Sequence, residues 1–367
     1  MLKQSGHYEN GIAGAAADLP PLQSMTMWAP AAAVIVLLAV QAVPTPQSPP
    51  ASIAPVPPLP LPPFDVWLTE LRVEAETRGI RPEIVAAALD GIAPVAQILE
   101  RDRSQAEFTF TLDGYLKRRL PPRTVRTARA MYKRHYALVQ RVGKAYGVDP
   151  RLLVSVWGLE SEFGRFAGVR PTFPTLATLA YDQRRGAMFR NELFNALEIV
   201  NRGDIELERL KGSWAGALGQ PQFMPSSYLR FAQDFDGDGR RDIWSSQADV
   251  FASIAYYLQQ HGWKKGAIWG REVTIPDAID ARVAELPRRA EGCRARREMT
   301  LPQPLTAWRK LGVRTATRQP LPLSALPASL IRDNSRAFLV YSNYESLLDY
   351  NCAHSYALSV ALLSDRL

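Results

Sequence analysis

Apolar residues in this chain recur mainly at the three-to-four-residue spacing of helices, interrupted by turns rich in proline, glycine and charge. Residues 64–71 (Phe-Asp-Val-Trp-Leu-Thr-Glu-Leu) and 127–132 (Thr-Ala-Arg-Ala-Met-Tyr) carry that period, which predicts an α-helical subdomain over 64–148. Asp149 and Pro150 read as N-cap and first helical residue, after which Leu153, Trp157, Glu160 and Gly164 fall at i, i+4, i+7 and i+11 on one face. A second helix is predicted over 249–258, and residues 344–363 return to the helical period. Between them, 273–275, 308–313 and 337–340 are short apolar runs separated by proline and charged turns, as in a small β-containing subdomain over 272–343. The chemically suggestive residues concentrate in 149–271, and 344–367 is a closing helical segment. No internal repeat is found.

Ahead of these elements, residues 27–43 form an apolar run ending Val40-Gln41-Ala42. It reads as a signal-peptide core with a small-residue cleavage site, so that 1–42 is an N-terminal extension; it is short for a membrane span. No Lys or Arg lies between Lys3 and Arg72, which leaves open a start at Met25 or Met27 and a retained anchor. No Cys follows the run to carry lipid. Residues 43–63 are proline-dense, which favours an extended, semi-rigid linker.

Glu160 is the anomaly in this pattern, a carboxylate on the apolar stripe of a helix. Burial disfavours a charged carboxylate and raises its pKa, which suits a general acid that must hold a proton near neutral pH. A structural carboxylate paired with a base is the plainer reading of such a residue taken alone. Glu162 lies roughly 200° further round the helix and is expected in solvent.

At 367 residues, 47% hydrophobic and 22% charged, the chain can bury a full core. Its net charge of +8 is scattered, with no nucleic-acid recognition signature. Cys293 and Cys352 are the only cysteines, and their spacing fits no metal site. Buried free thiols and one disulfide in an oxidising compartment both remain open. His261 and His354 sit in no catalytic arrangement.

Residues 214–228 (Trp-Ala-Gly-Ala-Leu-Gly-Gln-Pro-Gln-Phe-Met-Pro-Ser-Ser-Tyr) are a glycine-punctuated turn of the kind that can approach a ligand closely. Beside it, Asp234-Phe-Asp-Gly-Asp-Gly-Arg240 places acids at positions 1, 3 and 5 and Gly at 6 of a calcium loop. Position 12 is Ser245, and Asp249 either closes the site late or caps the next helix.

Together with Glu-Ser-x-x-Gly at 160–164, Arg184-Arg185, Gly-Ser-Trp-Ala-Gly-Ala at 212–217, Gln-Phe-Met-Pro-Ser-Ser at 222–227, and Tyr350-Asn351, these motifs resemble the membrane-bound lytic murein transglycosylase B family. The resemblance runs from about residue 64 to the C-terminus. It implies a mainly α (α+β) fold, with a lysozyme-like catalytic core, an added α-helical layer and a small β-containing subdomain. Glu160 is then the single catalytic acid and base, cleaving the β-1,4 bond between N-acetylmuramic acid and N-acetylglucosamine with formation of a 1,6-anhydro end.

The resemblance further assigns substrate binding to Ser213, Gln222, Tyr115, Arg184, Arg185, Tyr257, Tyr350, Asn351 and Tyr356. For each there is a plainer alternative: turn or cap duty for Ser213 and Gln222, core packing for the tyrosines, and solvation for the arginine pair. Gln220 competes with Gln222 for the cleft. No cofactor is needed for the chemistry, and a structural Ca2+ would be held by Asp234, Asp236, Asp238, Arg240 and Asp249. The implied partners are peptidoglycan glycan strands, whose acidity matches the basic charge, and cell-wall synthesis or division proteins. The protein is expected to be a periplasmic monomer that meets the membrane only through its N-terminal segment. A hydrolytic muramidase and an inactive peptidoglycan-binding scaffold are the alternatives.

Overall fold

In the computed structural model the described residues are 61–104, 111–333 and 336–367. The apolar run, both of its readings and most of the proline linker lie outside them. In chain order the helices of the first half are α1 (Phe64–Thr77), α2 (Pro82–Leu89), α3 (Ala96–Ser104), α4 (Leu112–Arg119), α5 (Pro122–Arg134), α6 (Tyr136–Tyr146), α7 (Pro150–Ser161), α8 (Thr172–Tyr181) and α9 (Gly186–Asn201). A two-residue ribbon pairs β1 (Arg170–Pro171) with β2 (Lys211–Gly212). Then come α10 (Pro225–Phe231), α11 (Gln247–Gln260), β3 (Gly270–Thr274), α12 (Asp277–Ala284), α13 (Arg294–Glu298), β4 (Gln303–Pro304) and α14 (Leu305–Leu311). The chain ends with β5 (Arg314–Thr315), β6 (Pro327–Arg332), β7 (Ala337–Val340), α15 (Ser342–Tyr350) and α16 (His354–Ser364).

Helix α7 organises the larger core. Asp149 caps it by accepting from the Arg151 amide at 2.9 Å, and Pro150 occupies the first turn, where no donor is lost. Every residue from Leu152 to Leu159 is buried, because α5, α6, α11 and α16 surround the helix. The one-face reading of this segment is therefore corrected: its sequence is apolar nearly all round because the helix is central.

The helix also ends earlier than the i+11 spacing implied. Ser161 donates to the Trp157 carbonyl at 2.9 Å and accepts from the Gly164 amide at 3.1 Å. Glu162, Phe163 and Gly164 then turn left-handed, with φ of 49°, 62° and 82°. Glu162 is exposed, as expected, but because the helix has stopped rather than because of its place on a helical face. Gly164 is required twice over, by its positive φ and because a Cβ there would lie 2.7 Å from Gln220 Oε1.

The C-terminal half contains an antiparallel sheet in the order β4-β6-β7-β3-β5. On β7, Phe338 and Val340 join the large helical core while Ala337 and Leu339 join a second core with Val273, Trp308 and Leu330. The period-two alternation thus places one sheet between two apolar clusters. Residues 308–313, expected as a strand, instead lie in α14 and its left-handed Gly312 cap, with the Trp308 indole donating to the Ala328 carbonyl at 3.0 Å. Strand β6 was missed because its apolar residues do not alternate: Ala328 to Ile331 are all buried between the two cores. The closing helical segment is two helices, α15 and α16, broken at 351–353.

Gly164→Ala is expected to cost on the order of 1–3 kcal/mol. Gly203→Ala, with φ of 75° but nothing within 4 Å of its added Cβ, should cost less. Thermal melts by circular dichroism compare the two, and equal melts would show that the turn after α7 is not tightly packed.

Candidate active site

Glu160 is the penultimate residue of α7, at the place where the central helix breaks toward solvent. Three elements bring groups to its carboxyl: Arg119 from α4, Tyr350 from α15 and Tyr356 from α16. Desolvation pushes the carboxyl up to about 7, against the Tyr356 phenol and the Arg119 guanidinium, both of which favour its charged form. Arg119 is anchored by donating to the Leu159 carbonyl. The buried Tyr356 hydroxyl faces Glu160 but closes no hydrogen bond of normal length and angle among the described residues, which leaves its donor available. No carboxylate among the described residues contributes to the shift at Glu160. Glu162 lines an opening of about 240 Å³ with Arg118, Arg119, Arg123 and Arg165, and Glu160 is not among its lining residues.

An aromatic wall extends from this point. The Tyr350 and Tyr356 rings are 6.2 Å apart and nearly parallel at 16°, and Tyr257 lies 4.8 Å from Tyr350. His261 stacks on Tyr257 at 4.0 Å, so its ring belongs to this wall. Tyr350 donates to the Pro221 carbonyl and Tyr257 to the Asp349 carbonyl, each at 2.7 Å. Burial raises the Tyr257 phenol to about 12 and those of Tyr350 and Tyr356 well above 10, so all three are neutral near pH 7. Asn351 is exposed at the C-cap of α15. Tyr115 is half-buried on α4, the helix that carries Arg119 and packs on α16.

The other expected residues have structural work in this conformation. Ser213 Oγ accepts from the Ala215 and Ala217 amides at 3.3 and 3.2 Å, closing its own turn. Gly216, in the segment expected to approach a ligand, packs against protein, since a Cβ there would lie 2.3 Å from Leu176 Cδ2. Gln220 is buried: its Oε1 accepts from the Trp157 indole at 2.6 Å and its Nε2 donates to the Trp244 carbonyl at 2.6 Å, which removes it from the cleft. Gln222 is half-buried with φ of 55°, and its amide donates to the Gly219 carbonyl at 2.8 Å. Arg184 and Arg185 form a separate cluster, both paired with the buried Asp102.

In the acidic loop, carboxylate oxygens of Asp234, Asp236 and Asp249 lie within 4.8 Å of one another. Asp238 and Arg240 are not in that group; Asp238 accepts from the Arg240 amide at 2.8 Å. Asp249 is buried and accepts from the Phe235 and Asp242 amides at 2.7 and 2.9 Å, while Ser246 caps α11. The choice for Asp249 thus falls on closing the loop. Three oxygen donors of this kind fit a hard cation.

A family model described as the Transglycosylase SLT domain matches residues 63–365. The chain belongs to that family. Membrane-bound lytic murein transglycosylase B of Escherichia coli is 37% identical over 153 residues, 41% of this chain and 42% of that protein, so the match spans less than half of that relative. SltB3 of Pseudomonas aeruginosa, solved in complex with NAG-anhNAM-pentapeptide, is 39% identical with a TM-score of 0.75, covering 82% of this chain and 78% of its own. Slt35 of Escherichia coli, solved in complex with calcium, is 25% identical with a TM-score of 0.69, covering 83% and 92%. The mainly helical, lysozyme-like architecture expected from the motifs is the one these lytic transglycosylases share.

Within this transglycosylase domain, sequence reading missed Arg119 and Glu192, and it gave no role to Asp102 or to the buried amide of Gln220 as a partner of Trp157. Arg119 sits in a Lys-Arg-Arg run that looks solvated, and its contact with α7 spans 40 residues of chain. Glu192 is buried and accepts from the Ser226 amide and hydroxyl at 2.8 and 2.6 Å, holding the start of α10. An acid on the buried face of α9 was the available signal for it.

If protonated Glu160 is the acid, kcat/KM should fall as pH rises through about 7. Tyr356→Phe removes a group that favours the charged carboxylate, so the falling limb should move to higher pH. Initial rates on soluble muropeptide oligomers between pH 5 and 9 test this; an unmoved limb would remove Tyr356 from the carboxyl's environment.

Proposed function

We propose that this protein is an exported lytic transglycosylase that cleaves peptidoglycan glycan strands. Glu160 protonates the oxygen linking N-acetylmuramic acid to N-acetylglucosamine, and the C1–O bond breaks. The resulting carboxylate takes the proton of the muramic C6 hydroxyl as O6 closes on C1, giving a 1,6-anhydro end without consuming water. The observation that carries this reading is a desolvated carboxyl held near pKa 7 with no second carboxylate contributing to it among the described residues. A two-carboxylate hydrolase has a partner acid on the opposite face of the sugar. Tyr350, half-buried, and the core-packed Tyr257 and Tyr356 bring flat, neutral rings beside Glu160, with Asn351 exposed next to them. Tyr115, Ser213 and Gln222 complete the proposed sugar contacts. Arg184 and Arg185, 54% and 41% exposed, keep outer donor edges for the acidic stem peptide.

The periplasm is the proposed compartment, in keeping with a disulfide between Cys293 and Cys352. No helix of the described residues is long and apolar enough to cross a membrane. A calcium ion held by Asp234, Asp236 and Asp249 would fasten the loop ahead of α11 without entering the reaction.

Digestion of purified peptidoglycan by residues 61–367, with muropeptides weighed by mass spectrometry, tests the chemistry. Products one water lighter than reducing-end muropeptides are expected, and Glu160→Gln should lower the rate by about 10²- to 10⁴-fold. Reducing-end products would establish a hydrolase instead. Binding by both proteins with turnover by neither would establish a scaffold.

Calcium at about 100 times its Kd should add about 2.7 kcal/mol of stability, a rise of several degrees in the melt. Asp236→Asn should reduce that rise, and a melt indifferent to calcium and chelator in the wild type would remove the ion from the loop.

A further inference from the structure

One short segment of the β-containing half grips the groove wall at several points. Cys293, the residue preceding α13, is bonded to Cys352, which lies in the three-residue break between α15 and α16. Arg296 of α13 donates to the Asp349 carboxylate at 2.9 Å and to the Glu345 carbonyl at 3.3 Å. Glu298 at the end of α13 lies 3.8 Å from His354 Nε2. Arg289, just upstream, donates to Glu345 at 2.9 Å. Ala295 and Met299 anchor the segment in the large core.

The gripped residues bracket Tyr350, Asn351 and Tyr356. Toward the catalytic core the same junction is held by neutral hydrogen bonds, Tyr350 to the Pro221 carbonyl and Tyr257 to the Asp349 carbonyl. Across the break, the Asn351 amide still donates to the Leu347 carbonyl at 3.1 Å and the Ala353 carbonyl accepts from the Ala357 amide at 3.0 Å, while Ala353 turns back onto the Asn351 carbonyl at 2.8 Å. The two helices end on either side of Cys352, so their mutual position depends on what ties the junction down. The one covalent tie is the disulfide, which joins chain positions 59 residues apart.

We propose that the Cys293–Cys352 disulfide is a positioning element for catalysis, holding the α15–α16 junction so that Tyr350 and Tyr356 stay in register on Glu160. Turnover then depends on the oxidised state of the enzyme while the fold does not. Cys352 is only partly buried against the large core and Cys293 is in neither core, and Ala295 and Met299 keep α13 in place without the bond. Displacement of a positioning group by about 1 Å costs up to about 100-fold in rate, and the loss falls on kcat through Glu160 and on KM through the proposed sugar contacts carried by the same junction. The inference rests on the transglycosylase reading of the site.

The experiment compares oxidised wild type, wild type reduced by a phosphine, the Cys293→Ser/Cys352→Ser variant, Arg296→Met and Glu160→Gln, on soluble muropeptide oligomers. The expected result is a fall in kcat of about 10- to 100-fold in the reduced and double-serine forms, with a rise in KM and circular dichroism still native. The pH limb of Glu160 should also move upward as Tyr356 loses register, since Arg119, Tyr350 and Tyr356 are the groups that face that carboxyl. Reoxidation should restore the wild type, and reductant should leave the double-serine form unchanged. Arg296→Met should give a smaller loss in the same direction.

A reduced enzyme with unchanged kcat and pH limb but a lower melting temperature would overturn the proposal and leave the bond a stabiliser only. If the double-serine variant does not fold, the reduction and reoxidation of the wild type decides. Failure of the underlying reading looks different: oxidised wild type would then release no anhydro product, or Glu160→Gln would match it.

Discussion

Desolvation of one carboxyl is the constraint on which the site depends. Glu160 is half-buried at the end of a helix that four others surround, and the desolvation of its carboxyl favours the protonated form near neutral pH. The cost is carried by the packing of α5, α6, α11 and α16, which has to be dense enough to exclude water on every side but one. Arg119 and Tyr356 temper the effect. Without groups that favour the charged form, the carboxyl would be a poor base for the second half of the proposed reaction.

The turn after α7 shows how backbone geometry serves that constraint. Stopping the helix at Ser161 and passing through three left-handed residues sends Glu162 away to solvent and leaves Glu160 as the last acid facing the groove. Gln220 then locks the turn from behind, through Trp157 and the backbone at Trp244. Buried amides of this kind are satisfied at each end, so the network is rigid. The opposite wall comes from the far end of the chain, where the sheet between the two cores delivers α15 and the loop that bears Asn351.

Much of the architecture was legible from local signals. Helix starts at Asp149-Pro150 and Phe64, the two sheet segments 273–275 and 337–340, and the mainly helical class all follow from capping residues, periodicity and punctuation. Segments 308–313 and 327–332 were not legible. Trp308 takes a helical turn because its indole must reach the Ala328 carbonyl, and β6 is buried on both faces, so neither shows the alternation that marks a strand. The break at 351–353 was likewise hidden, because the residues on either side keep one helical period.

Residue type alone determined that Glu160 was out of place on an apolar helix, and the order of motifs along the chain pointed to its chemistry. Tertiary structure decided which groups surround it. Arg119, Tyr350 and Tyr356 meet that carboxyl from parts of the chain separated by more than 200 residues, and Arg184 and Arg185 turn instead to Asp102. The same is true of the disulfide, whose two cysteines were equally compatible with free thiols until the fold brought them together. Local pattern depends on neighbours a few positions away, whereas desolvation, pairing and crosslinking depend on distances in space that no short stretch of sequence encodes.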